Sequence, residues 1–351
     1  MTISIPVTWS DAHRLHAPAT AVWVGARVDA DELPERAELI RAVLEEAGAH
    51  IVQALPHPDD ALLAVHDVGL VDFLRTAWEN WQEGGMPEAA GADEVVGYIY
   101  PTAGLLGGLD PHLPTALSAR TGSWAFDTMT AVGEGTWEAA RAAVDVALTA
   151  ADLVLDGASA AYACCRPPGH HVTRSAYGGS CYLNNTAIAA QYLRDRGISR
   201  VAIVDVDAHH GNGAQAIFWE RDDVLTTSVH VDPGAGWFPH FLGFADESVG
   251  ANVNIPLPAG SGDAIWLAGV DRLAATVGEH ECDVLVVALG VDAAAGDPNA
   301  PLAVTADGYR EAGRLLGSVD VPTVFVQEGG YVLETIGPLV RAALEGFEST
   351  R

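Results

Sequence analysis

The chain has 351 residues, 49% of them hydrophobic, which is enough for a sizeable core and is compatible with a single α/β domain. Its 47 acidic and 18 basic residues give a net charge of −29, and every basic residue is Arg. Such a field disfavours nucleic acid and anionic membranes as partners and would attract a cationic substrate, although a solvated surface selected for solubility would have the same composition. In chain order, β-branched apolar runs and longer Ala/Leu-rich segments predict a strand at 21–25 and a helix at 34–47. Pro34 and Glu35 suit that helix's first turn and Gly48 its end. A strand at 50–54 follows, then a Gly/Pro-rich stretch without periodicity at 84–114, read as a functional rim, an oligomer contact or a disordered segment. Beyond it come a helix at 137–155, a strand at 160–164, a helix at 186–196 and strands at 200–206 and 225–231. The pattern ends with a helix at 263–279, a strand at 283–289, a helix at 307–317, a strand at 323–327 and a helix at 335–347. Continuously apolar strands separated by helices imply a mostly parallel sheet covered on both faces. No linker divides the chain, so residues 1–351 read as one domain.

Two motifs stand out: Arg166-Pro167-Pro168-Gly169-His170-His171 and Asp205-Val206-Asp207-Ala208-His209-His210-Gly211-Asn212. Paired histidines with alternating aspartates are a costly way to build a core, because every buried polar group needs a partner. They suit a metal centre. Asp and His are oxygen and nitrogen ligands that zinc accepts, and a catalytic zinc needs only three protein ligands. The other His pair could then manage protons. Asp207 and His209 are two residues apart, so an extended strand end points both the same way.

The polar motifs also share a position. His170 and His171 follow the strand at 160–164, Asp205 and Asp207 close the strand at 200–206, Asp292 follows 283–289, and Glu328-Gly329-Gly330-Tyr331 follows 323–327. Parallel sheets bind ligands at the carboxyl ends of their strands, so the four motifs should converge on one edge. The four cysteines, Cys164, Cys165, Cys181 and Cys282, form no CxxC pair and so no sulfur-type zinc signature, and their scarcity points to a reducing compartment. Residues 1–10 lack a basic region followed by an apolar stretch, and no run of 18 apolar residues occurs. The expectation is a soluble cytoplasmic protein.

The strings RPPGHH, GGSCYLNN, DVDAHHGNG, LGVD and EGGY, in that order, resemble the metal-dependent deacetylase family of histone deacetylases and acetylpolyamine amidohydrolases. The resemblance runs over most of the chain, from residues 11–18 and 61–74 to 328–347. It is nearer the bacterial polyamine-type branch and the eukaryotic class II enzymes, because Asn185 and Asn212 stand where class I enzymes commonly carry Asp. The resemblance implies an arginase-deacetylase fold, a single three-layer α/β/α domain, and removal of an acetyl or other small acyl group from an amine by one zinc ion. Acetylpolyamines, acetyl-lysine and related small amides are the substrates it leaves open.

Residue by residue, Asp207, His209 and Asp292 match the zinc ligands. His171 matches the general base that takes a proton from the attacking water and later returns it to the amine, and His170 its electrostatic partner. Asp205 would orient His170 and Asn212 would orient His171. Asn at 212 should leave His171 with a lower pKa than Asp would. Tyr331 matches the phenol that donates a hydrogen bond to the substrate carbonyl and its oxyanion. Gly179 matches a tunnel carbonyl that contacts the substrate amide, and Phe238 one aromatic wall of the acyl tunnel. Ser180 departs from the pattern, since relatives usually carry a second aromatic wall there, so a wider tunnel is expected unless a neighbouring aromatic such as Tyr177 or Trp237 fills the gap. A potassium site is implied at the backbone carbonyls of Asp205, Asp207, His209 and Val229 with the side chains of Asp207 and Ser228. The resemblance to bacterial members also implies a homodimer or larger assembly, with the stretch at 84–114 at the contact and shaping the tunnel mouth.

Blander readings exist for single residues: Asp292 as a helix cap, Tyr331 and Phe238 as packing. Two other functions fit the sequence less well. A binuclear ureohydrolase needs further aspartates at the positions of Gly211 and Ala294, and they are missing. A non-catalytic acyl-ligand binder would be expected to have lost Tyr331, His171 or a zinc ligand, and none is lost.

Overall fold

A computed structural model of the chain describes residues 2–84 and 94–351. Its strands are β1 (Val7–Trp9), β2 (Thr20–Trp23), β3 (Ala26–Asp29), β4 (Ile51–Gln53), β5 (Ala160–Ala163), β6 (Val201–Asp205), β7 (Val224–Val231), β8 (Asn252–Leu257), β9 (Val284–Leu289) and β10 (Thr323–Gln327). Eight of them form one sheet in the order β4-β1-β5-β10-β9-β6-β7-β8, and every pairing is parallel. The central strands are buried at every position, which explains why they read as continuous apolar runs.

Alternate residues serve opposite faces. Tyr162, Ala202, Val204, Leu285, Val287 and Phe325 join a core beneath the helices Glu35–Glu46, Asp263–Glu279, Ala306–Gly317 and Leu333–Glu348. Ala161, Ala163, Val201, Ile203, Val286 and Val326 join a second core beneath Val68–Glu83, Thr136–Leu155 and Asn185–Asp195. The result is the expected three-layer α/β/α architecture. Among the described residues no helix is long and apolar enough to cross a membrane.

Several elements differ from the sequence expectation. The strand expected at 21–25 becomes β2, outside the main sheet. Val24 and Gly25, with φ of 49° and 78°, turn the chain into β3, and the two strands pair antiparallel. Two successive left-handed residues are what a two-residue hairpin requires. Strands β1 and β8 were not foreseen. β1 has only three residues, and β8 is an edge strand whose apolar pattern is broken by buried Asn252 and Asn254 and by Pro256. The Val68–Glu83 helix was also missed. It opens with Asp67 accepting a hydrogen bond from the Gly69 amide at 2.7 Å, and its stripe of Leu70, Phe73, Leu74, Ala77 and Trp81 is diluted by weak helix formers. Of the stretch at 84–114, residues 85–93 lie outside the described residues. The rest holds one short helix, Ala103–Leu106, started by Thr102 accepting from the Leu105 amide.

Because all eight strands point one way, the segments after β5, β6, β9 and β10 meet at one edge of the sheet. The site is built there.

Candidate active site

Asp207, His209 and Asp292 come together after β6 and β9. Their donor atoms lie within 4.8 Å of one another and all three residues are buried. Each is held from behind. Asp207 accepts hydrogen bonds from the amides of His209 at 2.9 Å and Gly329 at 2.8 Å, and Asp292 accepts from the amide of Ala208 at 2.8 Å. Gly329 is required at this approach, since a Cβ there would sit 2.3 Å from Asp292 Oδ2 and 2.6 Å from Asp207 Oδ2. His209 Nε2 lies 2.9 Å from the backbone carbonyl of Asn299. A carbonyl only accepts, so Nε2 carries a proton, while Nδ1 faces Asp207 at 3.2 Å and Asp292 at 3.1 Å. Two buried carboxylates converging on one nitrogen need positive charge among them, which a proton on Nδ1 or a bound cation supplies. The donor set therefore fits a divalent cation, and the Asn299 carbonyl plays the orienting part usual behind a metal-bound imidazole.

One other buried group among the described residues has metal-like composition: His170, Cys181 and Glu328. Its donors are already engaged. Glu328 accepts from the amides of Gly169 and His170 and from the Thr186 hydroxyl, and His170 Nδ1 is taken by Asp205. Burial holds the Cys181 thiol well above its ordinary value, so it stays protonated.

The two histidines after β5 lie against each other with ring centroids 4.0 Å apart and planes tilted by 38°, but differ in charge. His171 Nδ1 is 2.7 Å from Asn212 Oδ1, while Asn212 Nδ2 donates to the His171 carbonyl at 3.1 Å. With the amide fixed that way round, Nδ1 carries the proton and Nε2 is left with its lone pair. Burial, then the imidazoles of His170 and His209, lowers the His171 pKa well below the histidine value. It is a neutral base. His170 Nδ1 is 2.9 Å from Asp205 Oδ2. Burial opposes a charge on His170, but Asp207 and Asp205 outweigh it and raise its pKa to about 10.

Tyr331 follows β10, its amide donating to Asp297 Oδ2 at 2.9 Å and the Arg36 guanidinium lying 4.6 Å from its ring centroid. Burial raises the phenol well above its ordinary value, with Arg36 pulling the other way, so it is a proton donor at neutral pH. A cavity of about 640 Å³ joins these groups. His171, His209 and Tyr331 line its buried end, and Trp23, Asp29 and Asp31 its exposed rim.

Gly179, Ser180 and Phe238 all line the cavity. Gly179 has φ 63°, and a Cβ on it would meet the His171 ring at 2.3 Å and Phe238 at 3.0 Å, so its backbone packs directly on the base. Phe238 stands edge-on to His171 at 4.7 Å. Ser180 lines the cavity with Met129 and Trp237. Tyr177 does not reach it, being buried against Phe73 and Tyr182. Ser228 is the register partner of Asp205, with Val229 next along β7, so the residues expected around potassium are neighbours. Ser228 Oγ lies 2.8 Å from His230 Nδ1.

Several supporting residues were not foreseen. Glu32 lies between two buried arginines, its Oε1 2.6 Å from Arg36 and 2.9 Å from Arg166. Arg36 donates to the carbonyls of Glu328 and Gly330, and Arg166 to those of His13 and His16. One signal was available: Arg36 falls on the buried stripe of its helix with Ile40 and Leu44. Asp127, which accepts from the Gly179 amide at 2.6 Å, and Asp297 had none.

A buried donor triad of zinc type, with a neutral histidine and a protonated phenol on one cavity at the strand ends of an α/β/α sheet, fits an amide-hydrolysing metalloenzyme. The model of the histone deacetylase domain matches residues 30–347, and the chain belongs to that family. It is a deacetylase, and membership implies a zinc ion. The chain is similar to acetylpolyamine amidohydrolase 1 of Pseudomonas aeruginosa, 38% identical over 346 residues that cover 97% of this chain and 98% of that protein. It is 41% identical over 346 residues to the acetylpolyamine amidohydrolase of Burkholderia pseudomallei, covering 96% of this chain and 97% of that one. The crystal structure of an acetylpolyamine aminohydrolase from Burkholderia pseudomallei superposes with a TM-score of 0.93 at 39% identity, covering 99% of this chain and 100% of that one.

Proposed function

We propose that the chain is a one-zinc deacetylase of acetylated polyamines and similar cationic small amines. Asp207, His209 and Asp292 hold the metal, which when bound supplies Lewis-acid polarisation of the scissile carbonyl and of the attacking water. His171 Nε2 takes the proton from water as it attacks and passes it to the departing nitrogen, so acetate and free amine leave. His170, tied to Asp205, supplies positive charge beside that proton. The Tyr331 hydroxyl donates to the oxygen on which negative charge develops. Gly179 offers its carbonyl to the substrate N–H, and Phe238 flanks the acyl chain.

The observation that carries this reading is the Asn212–His171 pair, which leaves a neutral base on the cavity that His209 of the donor triad also lines. The names of the relatives, Asp29 and Asp31 on the rim, and the charge of −29 support a cationic substrate. The adjacent ends of β6 and β7 support a potassium ion at Asp205, Asp207, His209, Ser228 and Val229. Exposed Tyr98, Leu105, Leu109 and Leu113 support a homodimer through the region at 84–114. Four buried free thiols accord with the cytoplasm. The deciding experiment presents zinc-loaded protein with N-acetylputrescine, N-acetylspermidine and an acetyl-lysine peptide and measures free amine. Preferred release from the polyamines is expected. Release from none of them, or from the peptide alone, would overturn the proposal.

A further inference from the structure

Asp297 does not line the cavity, yet its carboxylate ties together the two loops that carry the chemistry. After β9 the chain supplies Asp292, turns, and returns with Asn299. Asp297 Oδ1 accepts the Asn299 amide at 3.0 Å, and its Oδ2 accepts the Tyr331 amide at 2.9 Å. The side chain is buried, and no other described side chain bonds the amides of both residues. The carbonyl of Asn299 is the acceptor that fixes the His209 imidazole, at 2.9 Å. One oxygen of Asp297 therefore holds the loop that aims a metal donor, and the other holds the loop that aims the phenol. Bonds from backbone N–H groups to a carboxylate are charge-assisted and directional.

We propose that Asp297 is a positioning residue that couples the placement of Tyr331 to the orientation of His209. The turnover half of this inference rests on the role given to Tyr331 above. Asp297→Asn keeps the shape but offers one oxygen and one NH₂ group, so one of the two amides meets a donor instead of an acceptor.

The experiment measures kcat and KM with N-acetylputrescine for Asp297→Asn, Tyr331→Phe and the double variant, all zinc-loaded. It also measures zinc affinity by competition with a chelator, with thermal melts to establish folding. The single Asp297→Asn variant is expected to lose about 10–100-fold in kcat with little change in KM, and about 10–100-fold in zinc affinity, the usual scale for residues behind a metal ligand. In the Tyr331→Phe background the further loss of kcat should shrink to about threefold or less, because residues acting as a unit are not additive. Should Asp297→Asn not fold, Asp297→Ser, which leaves room for water to serve both amides, carries the same comparison. Turnover and zinc affinity both within about twofold of the parent overturn the proposal, as do losses of kcat that multiply fully in the double variant. Normal turnover in Tyr331→Phe alone overturns the role of Tyr331 and the turnover half with it. The zinc affinity then tests the His209 half on its own.

Discussion

Replacing Tyr331 by Phe removes one oxygen and little else. The ring keeps its place beside Arg36, whose guanidinium is 4.6 Å from the centroid, and the backbone amide keeps its bond to Asp297. The hydroxyl has no protein hydrogen-bond partner among the described residues, so no buried group loses a partner when it goes. Stability should therefore stay within about 0.5 kcal/mol of the parent, the ordinary range for a change that leaves no cavity and no orphaned group. Turnover should fall much further. Losing one donor to a developing oxyanion costs about 10²–10³ in kcat, or roughly 2.7–4 kcal/mol, because the bond strengthens as charge builds. KM should change little, since the ground-state carbonyl gains less from the same donor. The phenol stays protonated far above neutrality, so the variant's pH profile should keep its shape. The assay is steady-state release of putrescine from N-acetylputrescine, with zinc content and melting temperature measured on the same preparation. Near-normal kcat in folded, zinc-loaded Tyr331→Phe would show that the residue only packs, and the reasoning from its position after Glu328-Gly329-Gly330 would fail.

Four further outcomes are expected. His171→Ala should lower kcat far more than it changes KM, because the proton carrier acts in the transition state; a raised KM with unchanged kcat contradicts that role. Metal analysis of protein purified without added metal should give one zinc per chain, and two per site, or none after reconstitution, defeats the three-ligand assignment. Asn212→Asp places a negative charge against Nδ1 of His171, which favours the imidazolium; since the base must be neutral, the acid limb of kcat/KM should move to higher pH by about one to three units, and an unmoved limb refutes the assignment. Ser180→Phe or Ser180→Tyr should favour slim linear acetylated amines over bulky ones by about 1–3 kcal/mol, and a uniform loss on all substrates would mean that Met129 and Trp237 already close that side.

The parts of this site that the sequence reveals are the ones encoded locally. Asp205, Asp207 and His209 share one strand end, and their period-two spacing marks a common direction. The continuous apolar runs identify β5, β6, β7, β9 and β10 as buried parallel strands, and that places all four motifs on one edge before any contact is known. The parts it hides act across long separations. Arg36 reaches the carbonyl of Gly330 over 294 residues, and the Asn299 carbonyl meets His209 over 90. No spacing rule connects such pairs, because only folding brings them together. The β2–β3 hairpin is hidden for another reason: its apolar run has the composition of a sheet strand, and only the left-handed pair Val24-Gly25 diverts it to the cavity rim. Positioning groups such as Asp297 combine both difficulties, with an ordinary local motif and distant partners. In the role proposed for Asp297 the weight lies in geometry: a carboxylate outside the cavity sets the aim of a metal ligand and of a phenol.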